Sequence, residues 1–224
     1  MKKSSTHKKH KKIIARDLSK LYHFLLKNLG AQNWWPGNSA FEIMVGAILT
    51  QNTNWANVTS SIANLKKAGM LNPGQMYAKR RSLPKMIRSS GYFRIKSQRL
   101  ISFVKYYLDK YQGSVMKILK VSAEKLRIEL LQVYGVGDET ADSILLYALN
   151  RPVFVIDAYT RRIFSRHRLI NYSDEYRKIQ RIFHDNLPTV VDQYNEYHAL
   201  LVYLGKNYCH KHDPDCSLCP INSF

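Results

Sequence analysis

Apolar side chains recur along much of this chain at three- and four-residue spacing. Ile13, Ile14, Leu18, Leu21, Tyr22, Leu25 and Leu26 trace one face of a helix over residues 13–29, because side chains at that spacing stack on one side. The run Asn33-Trp34-Trp35-Pro36-Gly37 breaks the pattern. Residues 40–48 are nearly all apolar, which predicts a helix buried all round. Val58, Ile62 and Leu65 carry a helix over 54–67. Met86 and Ile87, then Ile101, Phe103, Val104, Tyr107 and Leu108, mark further helices on either side of Gly91-Tyr92. Residues 123–133 and 139–149 predict a helix pair around Gly135-Val136-Gly137. Segments 158–167, 174–186 and 192–205 are again helical. Pro152 to Ile156 is the one β-branched run. Without a partner strand it reads as an extended connection. The expected fold class is all-α.

Charge adds a partner class. The 224 residues hold 35 Lys plus Arg against 16 Asp plus Glu, a formal net charge of +19. Such an excess points to a polyanion. Six of the first twelve residues are Lys and two are His. That composition predicts a disordered basic tail over 1–12. It is either a phosphate-grasping arm or a solubilising tail, and the body remains basic without it. No apolar run approaches the roughly 18 residues of a membrane span. No apolar stretch follows the basic N-terminus, which argues against secretion and for a cytoplasmic, nucleoid-associated protein. Cys209, Cys216 and Cys219 are the only cysteines. Three clustered thiols do not make a disulfide framework and suggest a local metal or cluster site.

The glycine pair is the most informative segment. Gly tolerates positive φ, so Gly135-Val136-Gly137 can form a tight hairpin with Val136 plugged between the helices. The second helix then begins with free N–H groups that, with the helix dipole, suit a phosphate oxygen. Such a contact holds a DNA backbone without reading its sequence. An ordinary αα turn has the same glycines.

Eighteen residues after Glu139 comes Val155-Ile156-Asp157-Ala158. This arrangement resembles the helix-hairpin-helix glycosylase superfamily, whose founding pattern is that of endonuclease III. There a hairpin L-P-G-V-G-x-K-T-A is followed by V-D at this offset. Phe41 through Thr53 resembles the family's early buried helix and polar turn, Gly91 through Ser97 its central segment, and Gly205 through Pro220 its cluster loop. The resemblance covers most of residues 30–220. It implies two helical lobes, one over 38–150 carrying the hairpin, the other joining 13–37 to 151–224, with DNA in the cleft between them.

The resemblance makes Asp157 the catalytic carboxylate. A glycosylase flips the damaged base out of the stack. It then cleaves the bond to C1′, and a carboxylate stabilises the oxocarbenium charge that develops. An Asp before helix 158–167 is also a good N-cap, and the two roles are compatible. Bifunctional relatives carry a Schiff-base lysine one residue before the hairpin's Thr-Ala. This chain has Glu139 there, so lyase activity is not expected. The glutamate, Trp34-Trp35-Pro36 and Leu49-Thr50-Gln51-Asn52-Thr53 resemble the 3-methyladenine DNA glycosylase III branch. The resemblance then implies a base pocket of Trp34, Trp35, Pro36, Trp55 and Glu139. Aromatic faces attract cations, and an alkylated purine is cationic. The expected activity is monofunctional excision of 3-methyladenine or another alkylated purine from double-stranded DNA by a monomer. Mismatch thymine or uracil excision, an endonuclease III-type lyase and a non-catalytic DNA-binding module are the alternatives.

The remaining family positions are DNA contacts. Gln51 and Asn52 would enter the gap left by the flipped base. Gly135, Val136, Gly137 and Thr140 would hold the backbone through the hairpin, and Lys96, Arg161 and Arg162 would meet phosphates. The cysteines have spacing C-x6-C-x2-C. The family's [4Fe–4S] pattern adds a fourth Cys after five more residues, the position following Phe224. Three accounts are open: a lost chain end, a cluster or zinc site completed by His210, His212 or Asp213, and a loop that folds without metal.

Overall fold

The computed structural model describes residues 13–222 and 224, so the basic tail lies outside the described residues. In chain order the helices are α1 (Leu18–Leu29), α2 (Ala40–Leu49), α3 (Trp55–Lys67), α4 (Pro73–Ala78), α5 (Leu83–Met86), α6 (Phe93–Tyr111), α7 (Val115–Ile118), α8 (Ala123–Leu131), α9 (Asp138–Ser143), α10 (Ala158–Arg166), α11 (Tyr176–Asn186) and α12 (Val191–Asn207). There is no strand among the described residues, and the fold is all-α. The chain divides into two units, Trp35–Val153 and Met1–Trp34 with Phe154–Phe224. The division falls inside the Trp-Trp-Pro segment.

In the unit Trp35–Val153, α2 is the central element. Seven of its ten residues are buried, as its nearly all-apolar run predicts. Ser39 caps it by accepting the Glu42 N–H. Long α6 lays Leu100, Phe103, Val104 and Tyr107 into the same core. Tyr107 stacks on Phe41 of α2 with ring centroids 6.1 Å apart. Short α4 and α7 were not legible from periodicity, because one or two turns show no period. Each is opened by a side-chain cap: Asn72 and Ser114 accept the N–H groups of Gln75 and Lys117, and Pro73 suits a first turn.

The expected helix over 139–149 divides. α9 ends at Ser143 and gives way to a π-helical turn over Ile144–Ala148. Such turns insert an extra residue and re-aim side chains. All five of its residues are buried.

The other unit has an aromatic core. Phe154 stacks on Phe183 of α11 at 4.2 Å and meets Tyr194 and Tyr197 of α12 edge-on. The segment leading to Asp157 is extended without being a strand. Its backbone is satisfied by side chains of α11: Phe154 N–H donates to His184 Nε2 (2.9 Å), Ile156 N–H to the Tyr176 hydroxyl (3.1 Å), and Gln180 Nε2 to Phe154 O (2.7 Å). These bonds do the work of a neighbouring strand. α10 packs closely on α12, because Gly205 leaves room for Tyr159. A Cβ on Gly205 would stand 2.8 Å from Tyr159 Cβ.

Candidate active site and DNA-binding elements

The hairpin joins α8 to α9. Gly135 takes φ +80°, a conformation glycine adopts at little cost. Its bare Cα is also required sterically, since a Cβ would collide with Cγ and Cδ of Arg99. Val136 is buried, as a plug should be, and Gly137 is exposed at the N-cap of α9. Arg127 of α8 clamps the pair. Its Nε meets Asp142 Oδ1 at 2.5 Å, and its Nη2 meets Asp138 Oδ1 at 2.6 Å. Arg127 and Asp142 are buried. Burial works against the guanidinium charge, but the two carboxylates outweigh it and raise its pKa.

Gln51 does not project as a gap filler here. Its Nε2 donates to Gly135 O and Thr140 Oγ1, each at 2.9 Å, and its Oε1 accepts from Arg99 Nη1. Thr140 is buried by the same contact. Asn52 is exposed with φ +52°, an αL position that Asn tolerates better than most residues.

Of the three basic side chains expected on phosphates, the structure takes one, Lys96, out of the surface. Lys96 is buried, and its ammonium donates to Leu49 O at 2.8 Å and Ser90 O at 2.6 Å. It closes the C-terminal end of α2 and is not on the surface. Burial, helped by Arg99, pushes its pKa down to about 8. Arg161 turns its Nη1 to Asp174 O (2.6 Å) and Tyr172 O (3.3 Å). Arg162 likewise donates to Cys209 O (2.6 Å) and Gly205 O (2.9 Å). Sequence shows a charge but not where its head points.

Trp35 and Trp55 meet edge to face at 5.1 Å, and Trp35 lies 5.2 Å from Tyr147 of the π-helical turn. Gly46 of α2 admits the Trp35 ring, which would stand 3.0 Å from a Cβ there. Tyr147 was missed, since inside an apolar run it looks like any core residue. Pro36 and Glu139 are exposed, and Trp34, in the other unit, is half-buried.

Asp157 caps α10, with Oδ1 accepting the Thr160 N–H at 2.7 Å. Its Oδ2 lies 3.6 Å from His198 Nε2, and both residues are 7% exposed. Burial favours the neutral acid most strongly, yet His198 and the Thr160 amide outweigh it and hold the carboxyl below its ordinary value. The group is therefore ionised at neutral pH.

Cys209, Cys216 and Cys219 line one pocket with His167, Tyr208, Pro214, Ile221 and Asn222. Arg166 Nη1 lies 3.1 Å from Cys209 Sγ and 2.7 Å from His210 O, and Nη2 reaches Lys211 O at 3.1 Å. Burial pushes the Cys219 thiol up to about 11. Three thiols with an arginine are not the four-thiolate set of a [4Fe–4S] cluster. Among the described residues no group of three His, Cys, Asp or Glu is placed to hold a metal ion. His210 faces Asp215 at 3.4 Å, and His212 and Asp213 are exposed.

A hairpin of this kind within an all-α fold, with a buried carboxylate capping a later helix, defines a helix-hairpin-helix DNA-repair protein. Residues 45–189 match the HhH-GPD superfamily base excision DNA repair protein family. The chain belongs to that family and is a base-excision-repair DNA glycosylase. It is 45% identical to a putative DNA repair glycosylase of Methanocaldococcus jannaschii over 92% of this chain and 94% of that one. It is 26% identical to an endonuclease III of Sulfolobus acidocaldarius over 83% and 81%. Among solved structures, the H. pylori 3-methyladenine DNA glycosylase bound to 1,N6-ethenoadenine aligns with a TM-score of 0.73 at 29% identity, over 87% of this chain and 98% of that one. An endonuclease III–DNA complex shares the fold, with a TM-score of 0.78 at 21% identity over 93% and 94%. No helix among the described residues is long and apolar enough to cross a membrane.

Proposed function

We propose that this glycosylase is monofunctional and excises alkylated purines, 3-methyladenine first among them. The observation that carries the reading is the edge-to-face pair Trp35–Trp55 with Tyr147 beside it. Electron-rich faces favour a cationic base over neutral thymine or uracil. The likeness to the H. pylori enzyme supports it. Glu139 at the family's lysine position supports hydrolysis without a Schiff base.

In this mechanism the base leaves with the electrons of the glycosidic bond. A base that is already cationic departs neutral and needs no proton. Positive charge then spreads over C1′ and the ring oxygen, and the ionised Asp157 carboxylate stabilises it. Water adds its oxygen to C1′ and releases a proton to the solvent, leaving a neutral hemiacetal. Asp157 Oδ1 is fixed by the Thr160 N–H, so the carboxylate needs little reorganisation.

Single-turnover base release tests the reading, with duplexes carrying 3-methyladenine, uracil opposite G or thymine opposite G. Release of 3-methyladenine without strand cleavage, abolished by Asp157→Asn, is expected. Release only from mismatches overturns the substrate. Borohydride-trapped strand cleavage overturns the monofunctional assignment.

A further inference from the structure

We infer that His198 is the positioning residue for the Asp157 carboxylate, setting the direction of Oδ2 from α12. The inference rests on the proposed role of Asp157.

The two oxygens of Asp157 are held by different elements. Oδ1 takes the Thr160 N–H of its own helix at 2.7 Å. Oδ2 faces His198 Nε2 at 3.6 Å. The imidazole is delivered by the register of α12. Tyr194, Tyr197, His198, Leu201 and Gly205 are all buried on it, at the three- and four-residue spacing of one helix face. Gly205 is the seat for Tyr159, two residues past Asp157. His198 lies seven residues earlier, two turns along the same face. The close approach at Gly205 thus fixes where His198 stands against the cap of α10.

Several ionisable groups of these elements are engaged elsewhere. Arg161 and Arg162 of α10 donate to backbone carbonyls. On α11, His184 and Tyr176 accept the N–H groups of Phe154 and Ile156. On α12, Glu196 accepts the N–H groups of Gln32 and Asn33, and burial keeps the Tyr197 phenol protonated. Lys206 is exposed. His198, 3.6 Å from Oδ2, therefore opposes the burial of Asp157 together with the Thr160 amide on Oδ1. Its loss leaves the desolvation and removes that part of the counterweight, so the carboxyl should protonate more readily.

The test compares wild type, His198→Leu and His198→Gln. In single-turnover base release the Leu variant should lose about 10- to 100-fold in rate, as expected for a slightly misdirected reacting group. Substrate affinity should be little changed. The acid limb of its pH–rate profile should move to higher pH. Gln supplies a neutral N–H donor and should recover most of the rate. Carbon-13 titration of the Asp157 carboxyl reads the same coupling without substrate, and should move up in the Leu variant. If that titration moves while wild type releases no base from any duplex, the positioning stands and the glycosylase substrate reading fails. A folded Leu variant with an unmoved carboxyl titration and acid limb overturns the inference. If His198→Leu does not fold, a stable His198→Gln whose Asp157 titration and base-release rate both match those of a folded His198→Ala overturns it equally.

Discussion

Gln51 donates to the Gly135 carbonyl at 2.9 Å, so the turn after α2 is fastened to the hairpin. With its second bond to Thr140 Oγ1, this makes Gln51 a brace. A buried or half-buried hydrogen bond contributes about 0.5–1.5 kcal/mol. Gln51→Ala should therefore lower unfolding free energy by about 1–3 kcal/mol in denaturant titrations. It should weaken binding to damaged and undamaged duplexes by similar factors. A loss confined to the damaged duplex would restore the gap-filling role.

Arg127 is a harsher test of the same hairpin. It links α8 to Asp138 and Asp142 of α9, and Asp142 is fully buried. Removing one partner of a buried pair strands the other charge, at a cost of about 3–5 kcal/mol. Arg127→Met should show that loss in urea unfolding. Arg127→Met combined with Asp142→Leu should recover most of it. Equal losses in single and double variants would mean that packing, not charge, holds the hairpin.

Lys96 predicts a stability trend with pH. Its folded pKa is lowered to about 8 from 10.5. Between those values the unfolded chain binds more protons than the folded one, so stability attributable to this group rises with pH. The penalty is fully present below the folded pKa and gone above the unfolded one. Relative to Lys96→Met, wild type should gain about 1–3 kcal/mol between about pH 8 and 10. A flat difference would show that the lysine is not desolvated.

The cysteine loop is held by α10 through arginine. Arg166 reaches Cys209 Sγ and the carbonyls of His210 and Lys211. Arg166→Ala should free the loop and raise the rate at which Cys209 reacts with a disulfide reagent by about tenfold or more, since access controls such exchange. An unchanged rate would indicate that something else, such as a bound metal, restrains the loop. Iron and zinc content measured on the same protein separates those cases.

What was legible in sequence was local. The apolar run of α2, the glycines of the hairpin and the Asp157 cap each announce themselves within a few residues. What was illegible joins distant positions. The Arg127–Asp142 clamp, the Gln51 brace and the facing of His198 to Asp157 depend on side-chain direction in the folded chain, which no period encodes. The π-helical turn was hidden for another reason. Ile144–Ala148 is apolar throughout, so one inserted residue leaves its pattern unchanged. Lys96 and Arg161 show the limit of reading charge: both were expected on phosphate, and both donate to backbone carbonyls, Lys96 from a buried position.

Glu139 offers the sharpest test of the chemistry. Its side chain stands one residue before Thr140-Ala141, exposed on the first turn of α9. At the corresponding place the bifunctional pattern has an amine. Glu139→Lys supplies that amine at an exposed position, so the fold should be unaffected within about 0.5 kcal/mol. If the proposed monofunctional reading is right, wild type should yield no borohydride-trapped adduct with abasic-site DNA. The lysine variant should yield one, since an amine and an abasic aldehyde condense to a reducible Schiff base. Trapping by wild type would mean that another lysine attacks the sugar. No trapping by a folded, DNA-binding Glu139→Lys variant would mean that this position lies out of reach of C1′, and the role assigned to Glu139 would have to be withdrawn.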